Sequence, residues 1–230
     1  MKPSTPSLIL FFVTSVLAII FKLLGYGSLV LIVKSVIIPS LFIYYLVSND
    51  YKITFLKAFI FLLFFVRDVF VMLSISESAM GSFMSVLVVY VLLTYLAIKD
   101  FTQLKFSLKD SFYAVVLIIG IATICYSVLN LKLENLELNF YLYVVFGLIL
   151  SVLSIITVLN YIKNNTYASF SAMLMCINFI ISDIFFVLYK FYFYNYLLTL
   201  ISLITQFLSY FFMVRYFLEK DRKTENLNDY

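Results

Sequence analysis

The stretch INFIISDIFFVLYK, residues 177–190, places one carboxylate, Asp183, inside an otherwise apolar run. A membrane-spanning helix needs about 20 mostly apolar residues, and this stretch has the composition of such a helix. An ionisable side chain at that depth costs several kcal/mol unless it has a partner or a function. Asp183 is therefore a candidate functional residue. The alternative is a structural role, either pairing with a buried cation or capping an interrupted helix.

The composition of the whole chain indicates a helical membrane protein. The 230 residues are 64% hydrophobic and 12% charged, with a mean hydropathy of +1.09. Soluble domains are about 45–50% apolar and about 25% charged. Because apolar runs extend almost from end to end, we predict an all-α integral membrane protein with no sizeable soluble domain.

The residue types present argue against two broad classes of function. The chain has no His, and its two cysteines, Cys125 and Cys176, each lie within an apolar run. Zinc sites draw on Cys, His and carboxylates at spacings that do not occur here, so we expect neither a metal nor a cofactor. The net charge is +4, but the basic residues form no stripe on a soluble face. We therefore expect no nucleic-acid partner.

Eight apolar segments are long enough to cross a membrane. Lys2 precedes the first of them, as in a secretory signal peptide, but no small-x-small cleavage pattern follows, so we expect this segment to be retained. Residues 1–218 are predicted to form a single eight-helix membrane domain, in which residues 101–110 and 130–139 are connections. Residues 219–230 are predicted to form a polar, disordered cytoplasmic tail. The predicted helices are 7–24, 28–48, 53–75, 82–98, 112–129, 140–162, 167–189 and 196–217.

The distribution of Lys and Arg predicts the orientation of this bundle, because basic residues are retained preferentially on the cytoplasmic side. Three basic residues lie on one side of the predicted helices: Lys22, Lys132 and Lys190. Eleven lie on the side of the N-terminus: Lys2, Lys52, Lys57, Lys99, Lys105, Lys109, Lys163, Arg215, Lys220, Arg222 and Lys223. Both termini are therefore predicted to be cytoplasmic.

The two remaining basic residues, Lys34 and Arg67, lie inside predicted helices, as do Asp68 and Asp183. At about 1.5 Å rise per residue, Lys34 and the two carboxylates lie about 9–11 Å below the same, non-cytoplasmic face. We predict a polar pocket in the outer half of the bundle, with Lys34 or Arg67 facing the carboxylates. Arg67 points about 100° away from Asp68, so an alternative is that Arg67 extends to the lipid headgroups instead of the pocket. The alternative to a pocket is an ion-pair network that fixes helix packing.

Further polar groups lie in the same helices. Asn178 and Ser182 share a helix face, and Gln206 lies near the middle of the last segment. Such groups commonly form hydrogen bonds between membrane helices, which is the alternative to a binding role. Tyr90 and Tyr95 are long enough to reach the pocket, but their positions alone do not single them out. The candidate substrate-binding residues are Lys34, Arg67, Asn178, Ser182 and Gln206.

The order of these features resembles the YhhN-like family of membrane proteins, whose characterised animal members are lysoplasmalogenases. That family is described by eight helices with a Lys in the second, an Asp motif in the third, a Ser-Asp motif in the seventh and a Gln in the last. The matching residues are Lys34 in IVKSVIIPSLFIYY, Asp68 in FFVRDVFVML, Asp183 in NFIISDIFFVLYKF and Gln206 in ITQFLSYF. The resemblance covers residues 8–217.

The chain departs from the family pattern at three points. Arg67 precedes the helix-three Asp where the family usually has Gly, and Pro39 follows Lys34 by five residues instead of directly. A His-bearing motif often found in the fourth helix has no counterpart, since the chain has no His. These departures concern the activity more than the fold.

The resemblance implies hydrolysis of the vinyl ether bond of lysoplasmalogens to a fatty aldehyde and a glycerophospho-base. Such bonds hydrolyse by proton delivery to carbon, followed by attack of water on an oxocarbenium ion, and a protonated and an ionised carboxyl suit both steps. We expect Asp183 to be the general acid and Asp68 the ionised partner, or the reverse. An alternative role for the basic residues is to bind the phosphate group of the substrate.

A second class of function is a non-enzymatic lipid-binding, transport or structural membrane protein of the same fold. Transporters commonly have internal repeats and helices broken by Gly or Pro. The chain has five Gly, three Pro and no evident repeat, so transport ranks below hydrolysis. In either case we expect a membrane lipid as partner and a location in the bacterial cytoplasmic (inner) membrane.

Overall fold

The computed structural model describes residues 3–73, 78–101, 108–129, 139–192 and 195–228, and these ranges contain eight α-helices and no strand. This confirms the all-α prediction for the described part of the chain. The helices are α1 (Thr5–Leu23), α2 (Gly27–Ser48), α3 (Phe55–Leu73), α4 (Ser78–Phe101), α5 (Leu108–Leu129), α6 (Phe140–Asn164), α7 (Tyr167–Phe191) and α8 (Tyr196–Asn228).

Six of these helices are long and apolar enough to cross a membrane: α1, α2, α4, α6, α7 and α8 as far as Lys223. They indicate an integral membrane protein. Helix α3 carries Lys57, Arg67 and Asp68 within 19 residues, and the apolar part of α5 is the shorter Val115–Val128. Crossing of the membrane by α3 and α5, and the orientation of the termini, stay predictions.

Seven of the eight helices in the described residues are longer than the apolar segments that predicted them, whereas α3 begins at Phe55 instead of residue 53. Helix α4 begins at Ser78 instead of residue 82, and α5 begins at Leu108, inside a predicted connection. Polar residues continue these helices because backbone hydrogen bonding does not require an apolar side chain. The rest of the two predicted connections, residues 102–107 and 130–138, lies outside the described residues.

The prediction of a disordered tail is wrong for residues 219–228, which continue α8. The physical reason is a group of polar side chains from α2, α3 and Asn49 that forms hydrogen bonds with Asp221 of α8. The Asp221 carboxylate accepts hydrogen bonds from Lys57 of α3, from Tyr45 of α2 at 2.7 Å and from Asn49 at 3.2 Å. Residues 229 and 230 lie outside the described part of the chain.

Local sequence explains where several helices end and begin. Gly25, two residues after the end of α1, has φ +78°, a conformation that glycine adopts without steric cost. Asn165 ends α6 at φ 43°, in the left-handed region that Asn tolerates. Thr166 then caps α7 in a reciprocal capping box with Ser169. A tight reversal between α6 and α7 follows.

Helix α7 packs against α8, α1 against α2, α3 against α4 and α5 against α6. The centre of the bundle is an aromatic cluster contributed by four helices. Phe64 stacks on Phe179 at 5.9 Å between ring centres, and Tyr210 meets the edge of Phe64 at 4.8 Å. Tyr90 meets Phe179 at 5.1 Å. The members of this cluster are Phe64, Tyr90, Phe179 and Tyr210. Its two tyrosines contact the charged residues Asp183 and Arg67.

Candidate functional site

A cavity of about 1160 Å³ extends into the bundle from one end. Its outer wall includes Lys22 near the end of α1, Gly27 at the start of α2, Ser78 at the start of α4 and Lys190 near the end of α7. Deeper in the wall lie both charged and aromatic side chains: Lys34, Arg67, Tyr90, Asp183, Gln206, Phe64, Phe146 and Phe179. The cavity is therefore apolar over most of its surface and charged in one layer.

Asp183 of α7 lies in the cavity wall, where Tyr90 of α4 holds its carboxyl group. The Tyr90 hydroxyl donates a hydrogen bond of 2.7 Å to Asp183 Oδ2. Tyr90 itself is 1% exposed, so packing against Phe146 and Phe179 fixes its ring. The structure thus places a half-buried carboxyl group at the cavity wall, with one oxygen held from behind by a rigid donor.

Arg67 of α3 points into the bundle, not towards the headgroups. Its guanidinium donates a hydrogen bond of 2.5 Å to the hydroxyl of Tyr210 in α8. A guanidinium has only donors, so the amide oxygen of Gln206 must face it. In that orientation the oxygen accepts from both terminal nitrogens of Arg67 and, at 3.0 Å, from Tyr210. Lys34 Nζ of α2 lies 3.5 Å from the same amide group.

Asp68 is buried, with 7% of its surface exposed, but it does not line the cavity. Its carboxylate lies within electrostatic range of Arg67 and Lys34. Asp183 also lies within electrostatic range of Arg67. The four charged groups predicted to share a layer are therefore brought together. Arg67 and Lys34 reach the cavity, whereas Asp68 is set behind them.

Ser182 and Asn178, the two candidate binding residues in α7, form hydrogen bonds to backbone carbonyl groups of helices. Ser182 lines the cavity, and its hydroxyl donates to the Ser202 carbonyl at 3.0 Å while the Ser202 hydroxyl donates to the Ser182 carbonyl at 2.9 Å. Asn178 donates to the Leu174 carbonyl of its own helix at 2.8 Å and does not line the cavity. The Ser182–Ser202 pair joins α7 to α8.

Two tyrosines complete the site, and the sequence did not single them out. Tyr90 bonds Asp183, whereas Tyr95, which was considered with it, is 57% exposed. Tyr210 joins Arg67 to Gln206. One signal for Tyr210 was available, since residues four apart share a helix face and Gln206 lies four before it.

Comparison with known proteins gives no relative: no family model, no curated protein and no solved structure matches the chain. Among the described residues, no group of three or more Cys, Asp or Glu side chains is arranged to hold a metal ion. The chemistry of the site therefore has to be inferred from its own side chains and their surroundings.

Proposed function

We propose that the chain is an eight-span membrane hydrolase of the YhhN-like family that cleaves the vinyl ether bond of lysoplasmalogens. The observation that carries the proposal is Asp183, a carboxyl group oriented by Tyr90 in the wall of a large, mostly apolar cavity. Pockets for small ligands measure about 300–1,000 Å³, so a volume of about 1160 Å³ suits a lipid with one chain.

Asp183 acts as the general acid in this proposal. With Tyr90 bonded to Oδ2, the proton is carried on Oδ1 and passes to the vinyl carbon that bears the hydrocarbon chain. An oxocarbenium ion then forms at the other vinyl carbon, which is attached to the ether oxygen. The resulting carboxylate takes a proton from water as the water oxygen attacks that ion. The hemiacetal then collapses to a fatty aldehyde and a glycerophospho-base. Each turnover consumes one water and returns the proton to Asp183.

Asp68 is assigned a positioning role instead of the role of second acid or base. It is buried outside the cavity wall, within electrostatic range of Arg67 and Lys34. Uncompensated cations in an apolar bundle are costly, and Asp68 offsets part of that cost. This keeps Arg67 in place near Asp183, where its positive charge stabilises the carboxylate that Asp183 becomes when it delivers its proton.

The second candidate function, a non-enzymatic membrane protein, is favoured by the contacts between helices in the charged layer. Arg67 joins α3 to α8 through Tyr210 and Gln206, and the Ser182–Ser202 pair joins α7 to α8. Such contacts fix the packing of helices whether or not a substrate binds. In that case Asp183 and Tyr90 serve the same packing and no aldehyde is formed.

An aldehyde-release assay separates the two. Purified protein is incubated with a lysoplasmalogen, with an acyl lysophospholipid as the control substrate, and we expect aldehyde from the first alone. Asp183→Asn should abolish release because the amide cannot deliver the proton. Asp50→Asn is the matched control: Asp50 is exposed, and Asn tolerates its φ of 48°. Full activity in Asp183→Asn, or no aldehyde from the wild type, contradicts the proposal.

A further inference from the structure

Two hydrogen-bond donors face each other in the wall of the cavity, one on α2 and one on α8. Because Arg67 and Tyr210 donate to the amide oxygen of Gln206, the amide nitrogen is turned towards Lys34. The Lys34 ammonium group lies 3.5 Å from this end of the amide, and both residues line the cavity. An ammonium group and an amide nitrogen are both donors, so neither satisfies the other.

Neither of these donors has an acceptor of its own in the part of the chain that the structure describes. With the amide oriented towards Arg67, no oxygen there accepts a hydrogen bond from Lys34 Nζ or from the Gln206 amide nitrogen. Gln206 is 7% exposed, and a donor that is buried without an acceptor is costly. A ligand oxygen between the two groups would accept from both and remove that cost.

The charges around Lys34 favour an anionic acceptor over a neutral one. Asp68 lies within electrostatic range of Lys34 and attracts it, whereas Arg67 and Lys22 repel it. Asp68 also lies near Arg67, so one carboxylate offsets two cations. Asp183 adds no negative charge while it carries the proton of the reaction proposed above. An anionic oxygen at Lys34 would therefore lower the cost of holding this cation in an apolar bundle.

Apolar side chains flank the two donors along their helices. Val30 lies one turn before Lys34 on α2, Leu203 lies one turn before Gln206 on α8, and both line the cavity. Hydrogen bonds to charged groups are stronger beside apolar walls than in water. A ligand that fits this wall has to present an apolar part together with its anionic oxygen, as an amphiphile does.

We propose that Lys34 and the Gln206 amide nitrogen form a two-donor site that binds an anionic oxygen of an amphiphile whose apolar chain lies in the cavity. Both a phosphate and a carboxylate carry such an oxygen. In the reaction proposed above it belongs to the phosphate of the lysophospholipid, and the site rests on that function for this assignment alone. Arg67 lies within electrostatic range of both Lys34 and Asp183, so an anion at Lys34 holds the rest of the molecule near the acid.

The test is equilibrium binding of chain-labelled NBD lipids to the full-length protein in maltoside micelles. Lysophosphatidylethanolamine and a fatty acid carry an anionic oxygen, and a monoacylglycerol does not. Lys34→Met keeps the apolar stem and removes the charge. We expect it to raise the Kd for the lysophospholipid about tenfold, the effect of one lost bond to a charged group, and to leave the Kd for the monoacylglycerol unchanged. Lys223→Met, at an exposed position of α8, should alter neither.

Gln206→Glu tests the same site without removing a cation. One carboxylate oxygen takes the place of the amide oxygen opposite Arg67, and the other takes the place of the amide nitrogen opposite Lys34. The variant thus supplies the acceptor from the chain itself, and we expect the same loss of affinity for the lysophospholipid. It also keeps the volume of the side chain, so it provides the test if Lys34→Met does not fold.

A loss of affinity confined to the anionic lipids supports the site, and the lipid with the larger loss identifies the oxygen as that of a phosphate or a carboxylate. An unchanged Kd for both anionic lipids in either folded variant overturns the site. An equal loss of affinity for the monoacylglycerol also overturns it, because it reports damage to the cavity and no recognition of an anion.

The aldehyde-release assay separates the site from the hydrolase. Anion-dependent binding, with no aldehyde released from a lysoplasmalogen by the wild type, supports the site and overturns the reaction. Aldehyde release with an unchanged KM in Lys34→Met and Gln206→Glu, together with an unchanged Kd, overturns the site and leaves the reaction standing.

Discussion

Replacing Asp221 by Ala should destabilise the protein far more than replacing its near neighbour Glu219. Asp221 accepts hydrogen bonds from Lys57, Tyr45 and Asn49. The Lys57 side chain is 5% exposed, and that of Asp221 is 21% exposed. Asp221→Ala therefore leaves a buried ammonium group without its carboxylate. Breaking a buried pair in this way costs about 3–5 kcal/mol, and the partial exposure of Asp221 favours the lower value.

Glu219→Ala removes an acidic residue from the same part of α8 and serves as the control. Its partners, Arg215 and Arg222, have side chains that are 43% and 55% exposed. Exposed ion pairs contribute about 0–1 kcal/mol. For a chain of about this size, 1 kcal/mol corresponds to about 2–4 °C in Tm. We therefore expect a loss of about 6–12 °C for Asp221→Ala and of less than about 4 °C for Glu219→Ala.

The assay follows the reaction of a thiol-specific fluorescent dye with Cys176 during heating in detergent. Cys176 is 1% exposed and becomes reactive as the bundle unfolds, and Cys125→Ser in every variant removes the second thiol. Lys57→Met combined with Asp221→Asn should recover most of the lost Tm, because no buried charge then lacks a partner. Equal shifts for Asp221→Ala and Glu219→Ala, or a double variant as unstable as Asp221→Ala, would refute the reasoning.

Three further predictions test the site, the packing and the topology. Tyr90→Phe should lower the kcat for aldehyde release about tenfold or more, since a hydrogen bond to a charged group is worth about 1.5–3 kcal/mol, and an unchanged kcat contradicts this. Gly81→Ala should lower Tm, because its Cβ would lie 2.7 Å from the Phe70 ring, whereas Gly120→Ala meets nothing within 4 Å and should not; overpacking costs about 1–3 kcal/mol. Alkaline phosphatase fused after Leu73 should be active, and green fluorescent protein fused there should be dark; the reverse pattern would show that α3 does not cross as predicted.

Much of the fold follows from local properties of the chain. A run of about 20 apolar residues has to satisfy its backbone hydrogen bonds internally, so hydropathy predicts helices. The eight helices of the described residues correspond in order to the eight predicted segments. Their ends were harder to predict, because capping and polar contacts extend helices beyond the apolar run. The continuation of α8 depends on Asp221, whose partners lie more than a hundred residues away in sequence.

For the candidate site too, part of the arrangement follows from the sequence and part depends on the tertiary structure. From the sequence alone, Lys34, Arg67, Asp68 and Asp183 are predicted to lie in one layer, because depth in a helix follows from residue number and a constant rise. Which of them reaches the cavity depends on the rotation of each helix about its axis, and packing against the neighbouring helices sets that rotation. Adjacent residues point about 100° apart, so the packing of α3 alone decided that Arg67 lines the cavity and that Asp68 stands behind it.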